Sequence, residues 1–326
     1  MIITRTPFRM SYVGGGTDIK AFYKDEPGAV LSTTIDKYMY ITLHQKFDGG
    51  IRVAYSKTEE VSNINNIDHP LVRESLKALG VLGGIEITST ADIPAKGTGL
   101  GSSSSYTVGL LTALHAYMDK DISTADLAEL ACNIEIIKCQ EPIGKQDQYS
   151  AAFGGLNLLE FMPDDSVNVT PVLCSNDFRK TLNLSTLVFY TGLTRSASGI
   201  LAEQTKVSSQ KNKKLVLRRM ARLANDFKLG IENNSLEDLS ELLNENWSLK
   251  KTLTDGITNS TIDEIYNAGI GAGAYAGKLL GAGAGGFMMF LAPENRHVEI
   301  INVMHKLRLV KFNIESSGSK IIYYGE

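Results

Sequence analysis

Residues 94–108 read P-A-K-G-T-G-L-G-S-S-S-S-Y-T-V. Gly97, Gly99 and Gly101 alternate with other residues, four serines follow, and an apolar helical pattern then begins. Glycine tolerates positive φ and lets backbone approach a ligand closely. Serine favours the N-cap, where unpaired N–H groups and a partial positive charge collect. Glycines feeding such a helix start form an anion site, most often for phosphate. The same pattern also describes a glycine-rich turn capping an ordinary helix, and the stretch alone does not choose between the two.

The two commoner phosphate-loop templates fail. A Walker A loop ends in Gly-Lys-Ser/Thr, and no lysine follows Gly101. The dinucleotide fingerprint needs a third glycine where Ser104 stands.

The chain around this loop has 326 residues, enough for about two domains. It is 43% hydrophobic and 21% charged, the balance of a soluble globule. With 33 Lys+Arg against 36 Asp+Glu, it lacks the basic excess that nucleic acid would call for. Cys132, Cys139 and Cys174 make no disulfide framework, and no histidine lies near them for a metal site. The N-terminus has no long apolar core of a signal peptide. Residues 268–292 are nearly uncharged but broken by glycines, so they read as a loop leading into a buried strand, not a membrane span. A cytoplasmic protein with no membrane or nucleic-acid partner is expected.

Strands are expected near residues 1–9, 30–35, 38–45, 51–55, 84–90, 156–161, 186–191, 287–291, 310–314 and 320–324, with a hairpin turn at 47–50. Helices are expected near 71–79, 102–118, from Ser123 onward, 213–231, 236–250, 261–268 and 294–307. Ser123 and Asp126 form a capping-box pattern. Residues 61–70 read as irregular and 162–183 as the domain boundary, placed at 175/176. Strands and helices segregate in places, the sign of an α+β fold. Glu135 shares a helix face with the small residues Ala128, Ala131, Cys132 and Cys139. A carboxylate there needs a partner if buried, or it lies at the core edge with its head in water.

Three motifs carry a resemblance. The loop at 94–104 is similar to the second motif of the galactokinase, homoserine kinase, mevalonate kinase and phosphomevalonate kinase (GHMP) superfamily. T-R-T-P-F-R-M-S-Y-V-G-G-G-T-D, residues 4–18, resembles its N-terminal strand and turn. K-L-L-G-A-G-A-G-G-F-M-M-F, residues 278–290, resembles its third motif. The order and spacing also match, over nearly the whole chain. The resemblance implies an N-terminal domain like that of ribosomal protein S5, a C-terminal ferredoxin-like domain, and an active site between them.

By position, it implies that Pro94, Lys96, Gly97, Gly99, Leu100, Gly101, Ser102, Ser103 and Ser104 bind the phosphates of ATP. Ser103 and Glu135 would ligate Mg²⁺. Asp147 would face the acceptor hydroxyl, with Arg9 beside it. Gly15, Gly16, Thr17, Asp18, Lys145, Arg195 and Gly283 would bind the acceptor. Galactokinases carry Gly-Glu-His-Thr-Asp where this chain has Gly14-Gly15-Gly16-Thr17-Asp18, which argues against galactose. Together with P-I-G-K-Q-D-Q (142–148) and Y-T-G-L-T-R-S-A-S (190–198), the turn most resembles D-glycero-D-manno-heptose 7-phosphate kinases. Those phosphorylate the anomeric C1 hydroxyl in nucleotide-activated heptose synthesis, and Lys145, Arg195 and Lys20 become candidates for the sugar's own phosphate. A different sugar 1-kinase, such as an L-fucokinase, and a non-catalytic sensor of the same fold stay open. The oligomeric state, a homodimer included, is open as well.

Overall fold

The computed structural model describes residues 1–94, 97–193, 197–207 and 210–325. Its larger sheet grows from two long antiparallel strands, Ile2–Val13 and Gly28–Gln45. Both are rich in β-branched and aromatic residues, which suit a pleated, buried surface. The second is a single strand where the sequence suggests two. Its first half pairs with Leu156–Phe161 and its second half with Ile85–Ala91. Between the halves, Pro7 lies opposite Tyr38 but Phe8 lies opposite Ile35, so Asp36 and Lys37 bulge out. Proline has no N–H to give the ladder, and a bulge re-aims the side chains beside it. Arg9 follows directly, and its backbone N–H donates to the Leu100 carbonyl at 3.0 Å.

The expected hairpin at 47–50 does not form. Ile51–Ala54 lies on the far side of Ile85–Ala91 and pairs with it in parallel, while its antiparallel partner is Thr58–Val61. The turn residues there are sound, but strand order is a tertiary choice that turn chemistry does not determine. Two further elements fall in stretches read as irregular, the strand Val167–Pro171 and the helix Asn176–Ser185, capped by the Ser175 hydroxyl on Phe178 N–H. Ser102–Tyr117 is the central helix of this half. It is buried on nearly every side, because its small residues let the strands pack close.

The second sheet has four strands, Thr186–Tyr190, Ala276–Leu279, Phe287–Leu291 and Arg308–Leu309. Their spatial order is fourth, first, third, second, and every pair is antiparallel. This is the ferredoxin-like arrangement. Ala276–Leu279 sits within the stretch read as a glycine-rich loop. Its Gly277 leaves room for the Phe290 ring, which a Cβ would approach to 2.6 Å. The helices Lys211–Glu232 and Leu236–Lys251 cross between the sheets, and Trp247, Phe189, Phe290 and Met288 fill the second core.

The α+β expectation holds, with one correction to the 175/176 boundary. Ile314–Glu315 and Lys320–Tyr324 return to the first sheet, with Ile314 opposite Ile35 and Tyr324 opposite Ile2. The second unit therefore does not run through to the C-terminus. Among the described residues, no helix is long and apolar enough to cross a membrane.

Candidate active site

The site forms where three backbone segments converge: the end of the first strand, the glycine loop before the central helix, and the loop between Leu279 and Phe287. The two loops touch through glycine. A Cβ on Gly99, at φ 74°, would lie 2.4 Å from the Leu280 carbonyl oxygen, and one on Gly281, at φ 82°, 2.3 Å from Gly99 Cα. Only residues without a side chain permit that contact, so the second and third motifs are two sides of one structure.

Arg9 and Asp147 lie at the convergence. The Arg9 guanidinium donates through Nε to Asp147 Oδ1 at 2.7 Å and through Nη2 to Oδ2 at 2.9 Å, while Nη1 donates to the Gly99 carbonyl at 2.6 Å. Arg9 is buried and the Asp147 side chain is 23% exposed, so the carboxylate keeps an open side. A bidentate pair of this kind is strong and fixes direction. Asp147 lies in the first turn of Gln146–Phe153, where a helix start favours a negative charge.

Asp18 is the second acid of the cleft. It is buried, with Oδ1 accepting from Gly16 N–H at 2.9 Å and Oδ2 from Gln146 Nε2 at 3.0 Å. Burial raises its pKa, and the charge of Asp147 adds to the rise. Gly144 keeps the two segments together, since a Cβ there would lie 2.0 Å from Asp18 Oδ2. Arg9, Asp18, Asp147, Gly15, Gly16 and Gln146 line the cleft, joined from the second half of the molecule by Lys250, Gly281 and Ala282.

Glu135 lies on a π-helical turn, Asn133–Lys138, that continues the helix Thr124–Cys132. Such turns often mark functional positions. Glu135 is fully buried and accepts from Ser104 Oγ at 2.7 Å, Thr107 Oγ1 at 2.5 Å and Gln148 Nε2. Burial pushes its pKa up to about 7, against the pull of those three hydrogen bonds. The sequence reading paired Glu135 with Ser103, but the hydroxyl on Glu135 is that of Ser104. Ser103 is exposed one residue earlier on the helix, and its place on the turn aims it at a different hollow.

That hollow is a broad, mainly apolar pocket lined by Met39, Tyr55, His69, Pro94, Ser103 and Tyr106, among others. His69 stacks on Tyr106 with ring centroids 4.9 Å apart, and the buried Tyr106 hydroxyl has no hydrogen-bond partner among the described residues. The motif at 94–104 supplies Pro94, Ser102 and Ser103 to it, while its other walls come from separate elements that no motif marks.

Several other expected site residues make contacts within the protein. Lys145 is buried, and its ammonium donates to both Glu129 carboxylate oxygens, at 3.1 and 3.0 Å, and to the Asp165 carbonyl at 2.9 Å. Lys20 pairs with Asp165. Both charges are thus satisfied on the far side of Asp18, away from the cleft. Thr17 uses its hydroxyl within the turn, on the Gly14 and Ala29 carbonyls. Gly283 packs against Ile257, to which a Cβ would come within 2.7 Å of Cα. Lys96 and Arg195 lie outside the described residues.

Lys250 is among the cleft residues that the sequence reading missed, with Gln146, Gly281 and Ala282. Leu239, Ser240, Leu243, Asn246, Trp247 and Lys250 form the buried face of Leu236–Lys251. Polar residues on a partly apolar stripe were the available signal for Lys250.

Comparison with known proteins agrees with this geometry. The GHMP kinases N terminal domain matches residues 69–155 and the GHMP kinases C terminal domain residues 227–307. The D-glycero-alpha-D-manno-heptose 7-phosphate kinase of Campylobacter jejuni is 30% identical, over 94% of this chain and 93% of its own. A galactokinase of Pyrococcus furiosus is 24% identical over 96% of this chain and 95% of its own. The solved structure of a D-glycero-D-manno-heptose 1-phosphate kinase from Bacteroides thetaiotaomicron superposes with a TM-score of 0.83, covering 100% of both chains at 24% identity.

Proposed function

The chain belongs to the GHMP kinases, and from that premise we propose that it transfers the γ-phosphoryl group of ATP to the anomeric C1 hydroxyl of D-glycero-D-manno-heptose 7-phosphate. It is a sugar kinase, a phosphotransferase with an alcohol group as acceptor, and kinases of this family use ATP. What supports the heptose acceptor is the 30% identity with the heptose 7-phosphate kinase of Campylobacter jejuni, and what supports transfer to a hydroxyl is the Arg9–Asp147 pair, held in the cleft beside the glycine loop. Gly101 brings that loop against it, since a Cβ there would lie 3.3 Å from Asp147 Oδ2.

Phosphoryl transfer is mostly positioning and charge stabilisation. In this reading, the nucleotide phosphates lie over residues 97–104 and the start of the central helix, and the base enters the apolar pocket beside Tyr106. The acceptor hydroxyl faces Asp147, which takes its proton. Arg9 keeps Asp147 aimed through the two hydrogen bonds between them. Gly15 and Gly16 leave the sugar room where side chains would intrude, and the buried Gln146 Oε1, without a partner among the described residues, is available to a sugar hydroxyl.

The donor set fits Mg²⁺. A carboxylate offers about four acceptor sites, and Glu135 uses three. Its raised pKa also favours a nearby cation. Mg²⁺ takes one or two carboxylates together with phosphates, so Glu135 and the Ser104 hydroxyl would hold it, and when bound it would neutralise charge on the phosphates.

A neutral-sugar 1-kinase is the second reading. It is favoured by the pairing of Lys145 and Lys20 with acids, which removes two of the expected partners for a sugar phosphate. An ADP-release assay over neutral sugars and their phosphates separates the two. The heptose 7-phosphate should exceed free heptose by well over tenfold in kcat/KM, since charge-assisted hydrogen bonds are worth roughly 1.5–3 kcal/mol each. Equal efficiency would favour the neutral-sugar reading, and no ADP release with any acceptor would overturn both.

A further inference from the structure

Lys250 reaches the cleft from the second half of the molecule, together with Gly281 and Ala282. It is 6% exposed, and its ammonium donates to the Gly281 carbonyl. Gly281 is the residue that abuts Gly99, whose carbonyl accepts from Arg9. A chain of contacts thus runs from Lys250 through the two glycine loops to Arg9 and Asp147. On the other side, a Cβ on Gly15 would lie 4.0 Å from Lys250 Nζ and 3.7 Å from Gln146 Nε2, so the ammonium sits across the turn from Gln146.

An ammonium has three donors, and among the described residues a single acceptor meets this one. Leaving a buried cation short of partners is costly. Two structural explanations are available. A lysine in a last helical turn can answer the helix dipole, but this head group turns away from its own helix to a loop carbonyl. It could instead be a strut between the halves of the molecule, but a strut needs no spare donors facing a cleft.

We propose that Lys250 is a second cation of the transfer site, donating hydrogen bonds to the oxygens of the phosphoryl group as it moves from ATP to the acceptor. The inference rests on the kinase reading above and adds a catalytic residue to it. In the step, the acceptor oxygen forms a bond to the γ-phosphorus, the bond from that phosphorus to the β,γ-bridging oxygen breaks, and ADP leaves with that electron pair. The acceptor's proton goes to Asp147. Lys250 stays protonated throughout, so the atoms and charges balance without it.

The groups facing Lys250 are Arg9 from the first strand, Asp18 from the glycine turn, Asp147 from the helix Gln146–Phe153, and Lys278 from the second sheet. The 281–286 loop contributes no titratable side chain. Burial and the neighbouring Arg9 lower the Lys250 pKa to about 8, with the two aspartates opposing. The charged form is the useful one, so activity should fall as pH rises through about 8.

The test is steady-state kinetics of full-length wild type, Lys250→Met and Lys250→Arg across this pH range, with melting curves and nucleotide binding measured on each. Removing one such donor elsewhere costs about 10²–10³ in kcat. Lys250→Met should therefore lose about a hundredfold in kcat, with KM for ATP nearly unchanged. Lys250→Arg should recover part of that loss and should not show the alkaline fall. If Lys250→Met keeps kcat within about threefold, or loses only acceptor KM, or if Lys250→Arg shows the same alkaline fall as wild type, the proposal is overturned while the kinase reading stands. A wild type that transfers no phosphoryl group overturns both. The arginine variant's pH profile decides the matter even if the methionine variant fails to fold.

Discussion

Asp147 and Arg9 act as one unit, because the two hydrogen bonds between them fix the direction of the carboxylate. Asp147→Asn keeps the shape but removes the proton acceptor. It should lower kcat by about 10²-fold or more, the usual scale of general-base catalysis, with nucleotide affinity nearly intact. A loss below about tenfold would reduce Asp147 to an orienting residue. Glu135 makes a different prediction, about stability. Its folded-state pKa of about 7 lies above the ordinary 4.5, so the folded protein holds a proton that the unfolded chain gives up in this window. The resulting stabilisation is complete below about pH 4.5 and is lost as pH rises through about 7. Melting temperatures of metal-free protein should decline over that interval in wild type and flatten in Glu135→Gln. An equal slope in both would show that Glu135 does not titrate there.

Among the elements, the contact between the two glycine loops matters most. Gly281→Ala would place a Cβ 2.3 Å from Gly99 Cα at a φ of 82°, so it must both strain the backbone and force the loops apart. It should lower the melting temperature and raise KM for ATP several-fold, and unchanged values for both would mean the loops need not touch. This contact was half legible in the sequence. Alternating glycines before Ser102 and again at 281–286 announce close backbone approach, but nothing local says that they approach each other. The same limit explains the remaining differences. Long periodic segments such as Lys211–Glu232 and the capped start at Ser123 are visible because local chemistry dictates them. The partner of Ile51–Ala54, the fate of the Lys145 charge and the identity of the serine on Glu135 depend on neighbours distant in sequence. Arg9 and Asp147 were found through motif spacing. Lys250 was not, because its helix carries no motif and its role depends on which side faces the cleft.

The whole molecule is closed by its own C-terminus. Lys320–Tyr324 covers the outer edge of the first strand, with Tyr324 opposite Ile2 and Lys320 opposite Arg5, and the Thr6 and Ser319 hydroxyls meet at 2.8 Å. Ending the chain after Asn313 would expose that edge and free the strand that carries Arg9. Such a truncation should lower the melting temperature markedly, and an unchanged melt would show that the returning strands add nothing. The closed molecule leaves one cleft in which Arg9 and Asp147 from the first half meet Lys250 and Gly281 from the second, which is where the transfer is assigned. Phosphorus NMR of the product formed from ATP and D-glycero-D-manno-heptose 7-phosphate tests that assignment most directly. A new phosphate signal coupled to the anomeric proton, with the 7-phosphate signal retained, is the predicted result. A new phosphate on any other carbon, or no new sugar phosphate at all, would contradict it.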